Sequence, residues 1–203
     1  MFGIKFGGTK KQEEAQAPDG DFVIARLNAK VQPIDRGEYF EDPLMETLES
    51  AGLGDVTGGG TQMAEEPYGI EFCDLVILVK AANEETLAVI IKRLNDLGAP
   101  KGSKLILETT GKEIPFGVTE GIGVFLNGAD LSDNVYAECD INHVIEEFDR
   151  LLGDKGKFRG YWEGSRETAL YCYGRSFEEM RAALQPFIDS YPLCEGARIE
   201  QIA

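Results

Sequence analysis

The side chains that could do chemistry in this chain are a single histidine, four cysteines and a scatter of carboxylates. His143 falls in the run Asp140-Ile-Asn-His-Val144, with no Cys or second His at ligand spacing and no Ser-His-Asp or Cys-His arrangement by motif. Cys73, Cys139, Cys172 and Cys194 are far apart and form no CxxC pair, which argues against a zinc knuckle or a redox pair; three sit in apolar stretches and read as free, buried thiols. Asp130, Asp133 and Asn134, between Asn127 and Glu138, offer hard oxygen ligands, but their spacing does not match a calcium loop. The sequence therefore assigns no catalytic residue, metal or cofactor. An enzyme drawing Asp, Glu or Tyr from separated segments would leave no motif, and it stays open as an alternative.

Two segments have the character of contact surfaces. Gly52-Leu-Gly-Asp-Val-Thr-Gly-Gly-Gly-Thr61 places five glycines in nine positions where a helix hands over to a strand. A phosphate cradle has the reverse order, strand then helix, so that backbone amides and the helix N-terminus face the anion. Gly58-Gly59-Gly60 reads instead as a bulge, a close backbone approach or a flat contact surface. Tyr161-Trp162-Glu163 lies on a hairpin opposite Tyr171 and Tyr173; strand alternation turns Tyr161 to one face and Trp162 to the other. Such an aromatic and acidic set is either core packing or a protein-binding hot spot. Asp55, Gly58, Gly59, Gly60, Tyr161, Trp162 and Glu163 are the candidate partner-binding residues. Glu65-Glu66, Glu84-Glu85, Glu146-Glu147 and Glu178-Glu179 read as solvated faces and helix first turns.

The charge balance points the same way. Thirty-six acidic residues against 20 basic ones give a net charge of -16, which repels nucleic acid and anionic membranes and attracts a basic protein partner. The opening Met-Phe-Gly-Ile-Lys-Phe-Gly-Gly has no continuous apolar core of a signal, and no window approaches the roughly 18 apolar residues of a membrane span. The expectation is a cytoplasmic protein, with a homodimer as a further possibility.

These residues are positioned by an order of elements that occurs twice. After an arm over 1–20, where Phe2, Ile4 and Phe6 alternate, Phe22 to Val31 reads as a strand stopped by Pro33. Asp42-Pro43 opens a helix ended by Gly52 and Gly54; Asp55 to Met63 and Ile70 to Val79 form a hairpin; Asn83 caps a second helix; Leu105 to Leu107 closes the unit over 21–109. Residues 110–119, with Gly111, Pro115 and Gly117, read as a linker. In 120–203 the order recurs: strand Gly121 to Leu126, a loop Asn127 to Cys139, an Asp140-capped helix, and a hairpin of Lys157 to Glu163 with Glu167 to Tyr173. A helix opened by the capping box Ser176 to Glu179 follows, with Pro186 expected to bend it, and Arg198 to Ile202 ends the unit. The predicted class is α+β: two tandem ferredoxin-like (βαββαβ) units with antiparallel sheets. Apolar residues at both parities of Phe72 to Val79 predict that at least one sheet is covered on both faces.

Three runs, Gly54-Asp-Val-Thr-Gly-Gly-Gly-Thr61, Trp162-Glu-Gly with Glu167-Thr-Ala-Leu-Tyr171, and Tyr191-Pro-Leu-Cys194 before Ala197-Arg198, resemble uncharacterised bacterial proteins with two ferredoxin-like halves, and that resemblance implies no activity. In its acidity and small size the chain also resembles immunity proteins that neutralise basic bacterial toxins. The reading that results is a non-enzymatic acidic protein-binding module, an immunity-type inhibitor of a basic bacterial toxin, with sensing of an amino acid or metabolite as the alternative.

Overall fold

The computed structural model describes residues 19–66 and 68–203. The arm expected over 1–20 lies outside the described residues except for Asp19 and Gly20, which form a bend ahead of the first strand. Unit 1 comprises β1 (Asp21–Leu27), α1 (Pro33–Arg36), a π-helical turn (Gly37–Glu41), α2 (Asp42–Ala51), β2 (Gly54–Met63), β3 (Ile70–Val79), α3 (Glu84–Asp96), β4 (Ser103–Leu107) and β5 (Glu113–Phe116). Unit 2 comprises β6 (Glu120–Asn127), α4 (Asp133–Glu138), α5 (Ile141–Leu152), β7 (Gly156–Glu163), β8 (Glu167–Gly174), α6 (Phe177–Ile188), a 3-10 turn (Pro192–Cys194) and β9 (Arg198–Gln201).

Both sheets are antiparallel, ordered β2-β3-β1-β4-β5 and β7-β8-β6-β9. Without β5 the two orders are the same, with the first and third strands of each unit at the centre, which is the ferredoxin-like arrangement. The helices form where the sequence places caps and apolar stripes. Asn83 Oδ1 accepts the Thr86 N–H at 2.9 Å, Asp140 Oδ1 accepts that of Asn142 at 2.8 Å, and Ser176 Oγ accepts that of Glu179 at 3.4 Å. Val144, Phe148 and Leu152 of α5 and Met180, Leu184 and Ile188 of α6 then bury against Ile122, Val124, Leu170 and Cys172 of sheet 2. Each large side chain so buried contributes roughly 1.5–3 kcal/mol.

Local differences from the sequence reading have identifiable causes. β1 ends at Leu27, because Asn28 turns away: its N–H donates to Ser103 Oγ and its side-chain amide to the Lys101 carbonyl. Pro33 starts a helix at its first turn, where a missing N–H costs nothing, and Asp42-Pro43 falls within the continuing helical path. The preceding π turn accommodates that proline: the Asp42 N–H donates five residues back to the Gly37 carbonyl. Residues 113–116 of the expected linker pair with β4 as β5, and α4 forms within the loop Asn127 to Cys139. Pro186 lies in the last turn of α6, so only one backbone bond is at stake and the helix runs through to Ile188.

Among the described residues sheet 2 is covered on both faces, whereas Phe72 to Val79, the run behind that expectation, lies in sheet 1. Away from its helices it presents Phe125, Ala169, Tyr171 and Tyr173, all nearly inaccessible. Gly121 and Gly123 make room for these rings, since a Cβ at either would stand within 3 Å of Tyr173 or Phe125 carbon atoms. The cover comes from unit 1, through residues 29–31 and the β2–β3 turn at 68–70.

Candidate ligand site at the junction of the two units

The middle glycine of the glycine-rich segment, Gly59, is explained by a partly buried ion pair. Arg36, only 8% exposed, donates through Nε to Glu41 Oε1 at 2.5 Å and through Nη1 to Thr61 Oγ1 at 2.7 Å. The two partners are five residues apart, and the π turn between them brings that spacing onto one side of the helix. β2 must pass close beside the pair. A Cβ on Gly59 would stand 2.5 Å from Glu41 Oε1 and 2.9 Å from Arg36 Nε. Gly58 and Gly60 point to the opposite face, where nothing lies within 4 Å, and the register shifts between Val56 and Gly58 as a bulge. Asp55 is exposed on the same strand.

Tyr161, Trp162 and Glu163 lie on β7, the edge of sheet 2, whereas Asp55 and Gly58–Gly60 lie on β2, the edge of sheet 1. The two groups make separate sets of contacts. Tyr161 is 48% exposed, and its carbonyl accepts the Gln32 side-chain amide at 3.0 Å. Trp162 turns to the opposite face, where its indole lies directly on Gly69, a residue with φ of +64° and no space for a Cβ. Glu163 is exposed. His143 is exposed on α5 and lies tilted against Tyr191 and edge-on to Phe187, with ring centroids at 5.3 and 6.0 Å.

The junction between the units is a chain of polar contacts across aromatic rings. Tyr173 Oη accepts the Lys30 N–H at 2.7 Å, and Tyr171 Oη donates to the Tyr68 carbonyl at 2.9 Å. The Tyr68 ring meets Phe125 edge-on at 6.3 Å. Lys30 Nζ, itself buried, donates to the Ile70 carbonyl at 2.5 Å and stands 6.0 Å from the centre of the Tyr171 ring. Burial holds its ammonium below the usual lysine range, against the opposing pull of Glu71 and Glu200. Burial likewise pushes the Tyr171 and Tyr173 hydroxyls upward. Elsewhere on the junction, Glu120 accepts from Lys101 Nζ at 2.8 Å and from the Phe177 N–H at 2.7 Å, and those bonds lower its carboxyl.

Beside these contacts a hollow of about 410 Å³ opens at the end of sheet 2, where the β6–α4 loop, the β7–β8 turn and the approach to β9 converge. Its polar lining comes from Asn127, Asp130, Ser165, Arg166 and Glu167 of unit 2 and Glu66 of unit 1. Ser165 Oγ donates to Glu66 Oε2 at 2.5 Å, so one hydrogen bond in the wall spans the two units. Arg166 Nη2 donates to both oxygens of Asp130, at 2.8 and 3.1 Å, and Arg198 Nη2 donates to Glu167 Oε2 at 2.9 Å. Asn127 Oδ1 accepts the Ala129 and Asp130 N–H groups and fixes the loop that carries Asp130. The volume is that of a small-molecule site, and groups of both signs face it.

Of this lining, the sequence marks only the loop with Asp130, the Glu65-Glu66 pair and the hairpin between Glu163 and Glu167, as separate features. The shared signal was positional: all lie at the same end of their strands. Among the described residues no group of three or more His, Cys, Asp or Glu side chains is placed to hold a metal ion, and no helix is long and apolar enough to cross a membrane.

No family model and no curated protein matches the chain. Among solved structures, the regulatory subunit of aspartate kinase from Thermus flavus is similar at 11% identity, over 84% of this chain and 94% of that one, with a TM-score of 0.28. The first two RRM domains of the yeast poly(U) binding protein are similar at 10% identity, over 90% and 99% of the two chains, with a TM-score of 0.22. At TM-scores this low neither likeness carries any conclusion about this chain.

Proposed function

We propose that the chain is a small-ligand sensing protein whose ligand, a polar molecule carrying an amine, as an amino acid does, occupies the hollow between Glu66, Asp130 and Arg166. The observation that supports this reading is that the hollow is walled by both units and contains the Ser165–Glu66 hydrogen bond between them. A ligand there exchanges contacts with the groups that join the units, so occupancy couples to how firmly they are held. The carboxylates suit an amine, and the Arg166 guanidinium suits a carboxylate.

Thermal denaturation against a panel of amino acids and related amines tests it. A bound member raises the melting temperature in proportion to its saturation. Arg166→Ala and Glu66→Gln should each remove the shift while leaving the unliganded melt nearly unchanged, because both side chains are exposed. A panel without any stabilising member counts against the reading.

The net charge of -16, with Tyr161 and Glu163 exposed on an edge strand, favours a second reading. In it the chain is an acidic protein-binding module of the immunity type, and its partner is a basic toxin. Retention of a basic protein from the native host at low salt, lost at high salt, would support it; no partner at either salt would remove it.

A further inference from the structure

Each unit builds a sheet with helices on one face, and among the described residues only one of the two remaining faces is covered. In unit 2 that face, Phe125, Ala169, Tyr171 and Tyr173, lies beneath unit 1. In unit 1 the corresponding face carries Phe22 and Ile24 of β1, Phe72, Val76 and Leu78 of β3 and Ile106 of β4. All six are half-buried, and none packs into a core cluster among the described residues. The register makes the stripe contiguous: Leu78 stands beside Phe22, and Val76, Ile24 and Ile106 stand side by side.

Around the stripe the chain is unlike the rest of its acidic surface. Arg26 forks onto Asp74 at 2.9 and 2.8 Å and lies 3.9 Å above the Phe72 ring, and Lys104 pairs with Glu113 at 2.8 Å. Two cations there pair with two carboxylates, with Asp55 at the corner and Glu71 near enough to act on Arg26. On the β2 flank, Gly58 and Gly60 stand opposite Val76 and Asp74 and leave the surface flat.

We propose that this face of sheet 1 is a homodimer interface, on which a second copy lays the same face about a two-fold axis. Sheets pack face to face about 10 Å apart with their strands within about 30° of alignment, which sets stripe against stripe and leaves the charged row at the rim. For two molecules that each carry a charge of -16, this patch, whose carboxylates are largely met by Arg26 and Lys104, is where like charges oppose each other least. Five strands spaced about 4.8 Å apart, over four rows of outward side chains, give a footprint on the order of 500 Å² per copy. The total, about 1,000 Å², is near the lower limit for a specific interface. Charges outside the patch still repel, so salt tightens this dimer, the opposite of its effect on a complex held by charge attraction.

The test is the mass of the full chain by light scattering or sedimentation, at about 100 µM protein, in low salt and in about 0.5 M salt. A dimer whose share increases with salt is expected. Ile24→Glu and Ile106→Lys should each abolish it, whereas Ile34→Glu, at a site 84% exposed and off this face, should leave it intact. If either face variant fails to fold by circular dichroism, Gly60→Lys, whose side chain enters open space on the same face, takes its place. A chain that is monomeric at both salts, a dimer indifferent to the face variants, or one that salt weakens overturns the proposal. So does occupation of the face by a different protein in place of a second copy.

Discussion

The phenolic oxygen of Tyr173 on β8 accepts the backbone N–H of Lys30 at 2.7 Å, so a strand of unit 2 provides the acceptor for a buried donor in unit 1. Tyr173→Phe keeps the ring and removes the acceptor, leaving that N–H without a partner. The expected cost is about 1–3 kcal/mol of unfolding free energy, read from the denaturation midpoint in urea. A loss below a few tenths of a kcal/mol would show that the bond is replaced.

Lys30 gives stability a pH dependence of defined sign. Its folded ammonium titrates below the usual lysine value because burial disfavours the charge, so the unfolded chain binds more protons between the two values. Across that window, which ends near the ordinary value of about 10.4, the Lys30 contribution becomes more favourable as pH rises. Subtracting the stability curve of Lys30→Met from that of the parent isolates it. The difference should climb with pH, and a flat or falling difference contradicts the assignment.

The buried thiols act in the opposite direction. Burial pushes Cys73 up to about 12 and Cys194, with Cys139 nearby, up to about 11. A thiol raised in the folded state favours folding at neutral pH, and that contribution is lost as pH climbs from the ordinary value of about 8.5 through the folded one. Cys139 alone is half-buried. One thiol should react promptly with an aromatic disulfide reagent at pH 8, and the other three only at the rate of unfolding; Cys139→Ser should abolish the prompt phase.

The three consecutive glycines of β2 should not respond alike. Gly59→Ala drives a methyl group into the Arg36–Glu41 pair and toward the Asp74 carbonyl, 2.7 Å from the new carbon, at a cost of roughly 1–3 kcal/mol. Gly58→Ala and Gly60→Ala enter open space without a left-handed backbone, and each should fall within about 0.5 kcal/mol of the parent or slightly above it. Thermal melts of the three variants rank them directly. Equal losses at all three would mean that backbone freedom rather than the ion pair explains this segment.

The duplicated element order was legible because helix stripes, N-caps at Asn83, Asp140 and Ser176, and the hairpin turns are local signals. What the sequence obscured was set by contacts over long distances. β1 stops at Leu27 because Asn28 finds partners at Lys101 and Ser103, and Glu113–Phe116 becomes a strand because β4 has a free edge. The π turn answers to Pro43 and to the Arg36–Glu41 pair together, and a period of 3.6 residues carries no trace of it. The hollow was beyond reach for the same reason: Glu66, Asp130 and Arg166 come from different loops and form one lining only after both units are folded and docked.

Trp162 is the only tryptophan in the chain, and it rests on the backbone of Gly69 across the seam between the units. The protein thus carries a built-in optical gauge: parting of the units would wet the indole and move its fluorescence to longer wavelength with both cores still folded. Any event that loosens or tightens the union of the two halves can be followed in solution without a label.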